Sequence, residues 1–140
     1  MKKKMIIIGG GISGIYLSIL LKKYLDMDVV VLEANDKPLK KLLATGNGRC
    51  NLSNKDLDKA HYDGDIKPWV NDIIHDFDIV EALKDIGLYT KYMGNLLYPY
   101  SESAKAVQTL FLNRAEEYGV KIICDEEVLS IKKSKHGYFI

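Results

Sequence analysis

At 140 residues the chain has the length of one domain and can bury about 70% of its unfolded surface. Its 47% hydrophobic and 28% charged residues, with only three prolines, exclude the disordered and collagen-like classes. A formal net charge of +1 gives no global field to draw nucleic acid or an anionic membrane.

The first element is ambiguous on its face. Three lysines precede an uncharged run of 17 residues, Met5 to Leu21, which has the outline of a signal or a membrane anchor. The run ends in Leu20-Leu21-Lys22-Lys23 with no small-residue cleavage pattern. It is also shorter than a membrane span and holds four glycines and two serines. A second reading explains the glycines. Lys4 to Ile8 is a continuous apolar run suited to a parallel strand covered on both faces. Gly9, Gly11 and Gly14 then form G-x-G-x-x-G at its end. The first glycine allows the sharp turn, the second lets a phosphate approach the backbone, and the third lets the next helix pack closely. That helix is predicted over Ile12 to Leu25, its N-terminal amides and dipole favouring an anion. The next predicted strand, Asp28 to Glu33, ends in a carboxylate 19 residues after Gly14. An acid there accepts hydrogen bonds from ribose hydroxyls and disfavours a 2′-phosphate. Strand, glycine turn, helix, strand and acid together indicate a dinucleotide site; a glycine turn without ligand is the plainer alternative.

The chain does not return at once to a third parallel strand. The next convincing buried strand is Val120 to Cys124, which leaves residues 34–119 as a long excursion. Within it, Thr45-Gly46-Asn47-Gly48-Arg49-Cys50-Asn51 reads as a loop rich in glycine and asparagine. Arg49, one of only two arginines, offers a planar fork for phosphate or carboxylate; a solvated turn is the alternative. Residues 55–66 read as a polar connection. Pro68 opens a predicted helix through Trp69, Val70, Ile73, Ile74 and Phe77, with Trp69 and Phe77 expected in the core. Asp78 opens another through Ile79, Leu83 and Ile86, closed by Gly87. Leu88 to Tyr98 is a predicted hairpin around Gly94-Asn95. A third helix is expected from Ser103 to Tyr118, stopped by Gly119. Beyond Cys124, Glu127–Ile131 and Gly137–Ile140 suggest a small antiparallel meander joined by Lys132–His136. The chain stops inside that last apolar run, which suggests part of a longer protein.

Cys50 and Cys124 match no zinc or dithiol spacing and are expected to be packed thiols in a reducing cytosol. His61, His75 and His136 have no ligand spacing and are expected at the surface, so no metal site is expected.

The motifs IIIGGGISG, VVVLE, KKLLATGNGRCNLSN and LLYPYSESAKAV, in this order, closely resemble a bacterial FAD-dependent oxidoreductase family. It belongs to the flavoproteins with two dinucleotide-binding domains and includes bile-acid reductase-like and aminoacetone oxidase-like members. The resemblance covers nearly the whole chain. It implies an α/β fold: a Rossmann-like FAD-binding domain with a parallel sheet, a long helical insertion after the second strand and the start of a meander. It implies FAD as cofactor, with Gly9, Gly11, Ile12, Ser13 and Gly14 at the pyrophosphate and Glu33 and Ala34 at the adenosine ribose. Lys40, Lys41 and Leu42 would flank the dinucleotide, Thr45, Gly46, Gly48, Arg49, Cys50 and Asn51 would reach towards the flavin, and the Val128 backbone would meet the adenine. Family members often carry Arg-Lys where this chain has Lys40-Lys41. They are also longer, so the remainder of the flavin domain and an inserted substrate domain are expected to lie outside this chain. Catalytic residues are not assigned; the substrate is a small molecule, without nucleic acid or membrane as partner, and self-association through sheet edges is a further expectation. A non-catalytic nucleotide-binding module, and an NAD- or S-adenosylmethionine-using enzyme sharing only the cradle, remain alternatives.

Overall fold

The computed structural model describes residues 3–25, 27–57, 59–62, 67–135 and 137–139. The elements in chain order are β1 (Lys3–Ile8), α1 (Ile12–Tyr24), β2 (Met27–Leu32), a 3-10 segment (Lys40–Gly48), β3 (Ser53–Asn54) and a short 3-10 turn (Lys59–His61). There follow α2 (Lys67–Asp76), α3 (Ile79–Asp85), β4 (Thr90–Met93), β5 (Leu96–Pro99), α4 (Ala104–Glu117), β6 (Lys121–Ile123), β7 (Lys132–Ser134) and β8 (Gly137–Phe139). The chain divides into two compact units, residues 1–43 with 111–140, and residues 44–110.

The first unit is the expected α/β body. β1 and β2 pair in parallel from Lys3↔Met27 to Ile8↔Leu32, and β2 pairs in parallel with β6 from Val30↔Lys121 to Leu32↔Ile123, giving the order β1-β2-β6. β-Branched side chains suit a pleated, covered surface, and Ile7, Val29 and Val31 are buried here. α1 connects the first two strands and buries Ile15, Ser18 and Ile19; the Ser18 hydroxyl donates to the Ile15 carbonyl at 2.6 Å, so it is satisfied within its own helix. Tyr16 meets Phe111 of α4 edge-on, with ring centroids 6.1 Å apart. Gly119, at φ 71°, ends α4 and turns the chain into β6.

In the second unit β3, β5 and β4 form an antiparallel sheet in the order β3-β5-β4, with β4 and β5 joined at Gly94-Asn95 as predicted. The short β3 lies between the predicted loop and the polar connection, where no element was expected. α3 is capped as its sequence indicates: the Asp78 carboxylate accepts from the Val80 and Glu81 amides at 3.0 and 3.1 Å.

Two expectations are corrected. Trp69 and Phe77 are 71% and 51% exposed, and Ile73 between them 66%. Helical spacing shows that these residues share a stripe, but not that anything covers it; Val70 is the residue turned inward. Second, Glu127–Ile131 is not a strand. The antiparallel pair is β7 with β8, Lys132↔Phe139 to Ser134↔Gly137, so three residues assigned to the connection form the strand. Apolar content misplaced it, since Leu129 and Ile131 are exposed. His136 and Ile140 lie outside the described residues.

Candidate functional site

The glycine turn sits between the end of β1 and the start of α1, and its glycines serve different ends. Gly9 has φ 101°, a region that a side chain disfavours, and donates its amide to the Leu32 carbonyl at 2.8 Å. A Cβ on Gly14 would lie 2.1 Å from the Gly9 carbonyl oxygen, so Gly14 is required for helix and strand to approach. Gly11, with φ −71°, has nothing within 4 Å of where its Cβ would stand. Neither conformation nor packing demands glycine there, and the cleared space suits a ligand reaching the backbone. Gly11 caps α1 without a side-chain hydrogen bond, and the first turn, Ile12 to Gly14 onwards, contains no acid. Ile12 and Ser13 are exposed beside it. Helix amides and dipole thus favour an anion at this point. These features fit a dinucleotide pyrophosphate.

Glu33 follows β2 directly and is only 8% exposed. Its carboxylate is densely held: the Gly10 amide donates to Oε2 at 2.7 Å, and the Asn35 amide to Oε1 at 2.8 Å. The Asn35 side-chain Nδ2 also donates to Oε1. These bonds, the Asn35 pair first, hold the carboxyl below its ordinary range, against the opposing effect of burial; Lys40 adds a smaller attraction. Ala34 is exposed beside it. The Gly10 carbonyl in turn accepts from the Leu39 amide at 2.8 Å. A Cβ on Gly10 would stand 3.0 Å from both Glu33 Oε2 and Pro38 Cβ. Sequence reasoning treated Gly10 as a free position of the motif and passed over Asn35 and Leu39. Three consecutive glycines, and an asparagine two residues after the acid, were the available signals.

Lys40 forms an exposed ion pair with Asp36, which raises its own pKa, while Lys41 is exposed and Leu42 buried. Val128 is half-buried on an irregular stretch. The Glu33 carbonyl accepts from the Glu126 amide and the Asn35 carbonyl from the Asp125 amide, both at 3.0 Å, which ties the end of β2 to the segment that leads to Val128.

In the second unit the Thr45–Asn51 turn is preshaped. Gly46, Asn47, Gly48 and Cys50 all have positive φ, and the Cys50 amide donates to the Thr45 carbonyl at 3.0 Å. A Cβ on Gly46 would stand 2.6 Å from the Asn51 amide nitrogen and 3.2 Å from the Tyr98 ring. The Arg49 guanidinium lies over the same ring, 5.2 Å from its centroid. Burial pushes the Cys50 thiol up, as burial and nearby carboxylates push Cys124. Both cysteines are free, and Cys50 packs fully buried, as expected of a structural thiol. Among the described residues there is no group of side chains that could hold a metal ion. No helix among them is long and apolar enough to cross a membrane.

A parallel βαβ unit, a glycine turn cleared for an anion and an acid locked at the end of β2 define a Rossmann dinucleotide-binding domain. A family model for the HI0933-like protein Rossmann domain matches residues 3–140, and the chain belongs to that family. It is 37% identical over 138 residues to a 3-dehydro-bile acid delta(4,6)-reductase of Clostridium scindens, covering 96% of this chain and 34% of the relative. It is 29% identical over 133 residues to a ribosomal RNA dihydrouridine synthase of Haemophilus influenzae, covering 91% and 32%. The chain therefore spans about a third of the length of these curated relatives. The crystal structure of Thermovibrio ammonificans THI4 superposes with a TM-score of 0.61 at 16% identity, over 98% of this chain and 44% of that one, a likeness of fold. Family and fold agree with the Rossmann-like architecture expected from the sequence, and the family supports FAD as the dinucleotide.

Proposed function

We propose that the chain is the FAD-binding portion of a flavin-dependent oxidoreductase. The observation that carries this reading is the glycine turn whose Gly11 side is cleared with no packing reason, next to an acid fixed at the ribose position. In it, Gly9, Gly11, Ile12, Ser13 and Gly14 receive the pyrophosphate, Glu33 and Ala34 the adenosine ribose, and the Val128 backbone the adenine. Lys40, Lys41 and Leu42, and Thr45, Gly46, Gly48, Arg49, Cys50 and Asn51, are assigned to the same cofactor on the resemblance of the KKLLATGNGRCN motif. Bound flavin would supply hydride transfer at N5. The chain's own residues bind and orient: amides of the α1 N-terminus neutralise the pyrophosphate, and Glu33 selects a ribose without a 2′-phosphate.

The relatives' names point to different substrates, one a bile acid and one ribosomal RNA, so family membership leaves the substrate open. We assign a small-molecule substrate, to be met by parts of a longer parent, and expect no turnover from this chain alone. Two free thiols fit a reducing compartment, the cytoplasm.

The test is to mix the purified chain with excess FAD, desalt it, and record the visible spectrum and the flavin-to-protein ratio. A structured flavin band near one per chain supports the reading. A chain that circular dichroism shows folded, and that takes up NAD while leaving FAD behind, overturns it.

A further inference from the structure

We propose that Asn35 is a positioning residue for nucleoside recognition: it occupies one oxygen of Glu33 so that the carboxylate is left with a single acceptor site for one ribose hydroxyl. This deepens the dinucleotide reading and rests on it. An ionised carboxylate has about four acceptor sites, two on each oxygen. Both sites of Oε1 are filled from Asn35, by its amide and its Nδ2, and one site of Oε2 is filled by the Gly10 amide. One site on Oε2 remains, on the oxygen that also touches the glycine turn.

The orientation of the Asn35 side chain is set by its surroundings, since turning Oδ1 towards a carboxylate would oppose two acceptors. Its backbone is held as well, because the Asn35 carbonyl accepts from the Asp125 amide. The backbone that carries the donor is thus tied down, and the three bonds hold Oε1 towards Asn35 and Oε2 towards the glycine turn. A carboxylate free of Asn35 would accept from the 2′- and 3′-hydroxyls together; this one accepts from one of them. The charged and titratable groups that act on Glu33 or lie beside it are Lys40, Asp36, Asp125 and Cys124. None of them donates a hydrogen bond to its carboxylate among the described contacts.

The consequence is an asymmetry measurable without any turnover. ADP, 2′-deoxy-ADP and 3′-deoxy-ADP are titrated calorimetrically into the chain and into Asn35→Ala, with folding checked by circular dichroism. For the wild type, removal of one hydroxyl weakens binding about tenfold, as for a hydrogen bond to a charged acceptor, and removal of the other changes little. In Asn35→Ala a site on Oε1 opens, and the difference between the two deoxy nucleotides collapses to less than about threefold on the same scale. A merely structural role would weaken all three nucleotides alike and leave the difference intact. In parallel, the Glu33 carboxyl, followed by carbon NMR without ligand, titrates at higher pH in Asn35→Ala.

A wild type that loses equally for either hydroxyl overturns the inference and leaves the dinucleotide reading standing, as does a variant that keeps the wild-type asymmetry. Wild-type chain that is folded and binds no ADP overturns the cradle reading itself, and the inference falls with it. An unmoved Glu33 titration removes the hold of Asn35 on the carboxylate whatever the nucleotides do.

Discussion

At the residue scale, the glycines of the turn separate into those the fold requires and one the ligand requires, and single substitutions tell them apart. Gly14→Ala puts a methyl 2.1 Å from the Gly9 carbonyl oxygen, so α1 and β1 must part. The expected loss is several kcal/mol, on the order of 3 or more, as for other severe overpacking, seen as a fall in the urea midpoint. Gly11→Ala meets nothing within 4 Å and is expected to cost about 1 kcal/mol or less, the difference between glycine and alanine at an N-cap. Its effect falls instead on ADP affinity, and equal losses of stability in the two variants would contradict the assignment. Glu33 gives a pH prediction. Its folded pKa lies below the ordinary value of 4.5, so its contribution to stability is full above that value and is lost as pH falls through the folded one. Glu33→Gln lacks this titration. The wild-type advantage over the variant, from urea midpoints, should hold from pH 7 to about 5 and shrink below about 4.5. Other depressed carboxylates, Asp36 and Glu102, are present in both proteins and cancel in the difference.

At the scale of elements, those written by local chemistry were legible and those decided by cover were not. β1, α1 and β2 follow from an apolar run, a glycine turn and a second apolar run, and Asp78 announces α3 by its capping geometry. Replacing Asp78 by Ala removes the acceptor for two amides and is expected to cost about 1 kcal/mol, read from the thermal midpoint; no change would mean that the cap is idle. α2 shows the limit. Its stripe of Trp69 and Ile73, continued by Phe77 just past its end, carries a helical period, yet it faces solvent, because periodicity records a shared face and is silent on what packs there. Trp69 is the single tryptophan, so the fluorescence of the folded chain should resemble tryptophan in water and shift little on unfolding. A blue-shifted native spectrum would show the stripe covered. The lock on Glu33 was hidden for a related reason: Gly10 meets its carboxylate only once β1 and β2 are paired. The acid was readable from its spacing; for its partners the only signals were the run of three glycines and an asparagine two residues on.

At the scale of the molecule, the parallel sheet ends at β1 on one side, since β1 pairs with β2 alone among the described strands. An edge strand presents unpaired amides and carbonyls to any other chain. Lys3 and Lys4 guard the start of this edge with charge, but Met5 and Ile8 are 37% and 48% exposed further along it. A net charge of +1 adds little repulsion between copies. The chain is therefore expected to associate as its concentration rises, seen as a growing weight-average sedimentation coefficient. Salt should strengthen the effect, because screening weakens the lysines while leaving the apolar contact. Met5→Lys adds a third charge on the exposed part of the strand and should return the chain to monomer at the same concentration, with its circular dichroism unchanged. A wild type that sediments as a monomer throughout, in high salt as in low, would show that two lysines suffice to guard the edge.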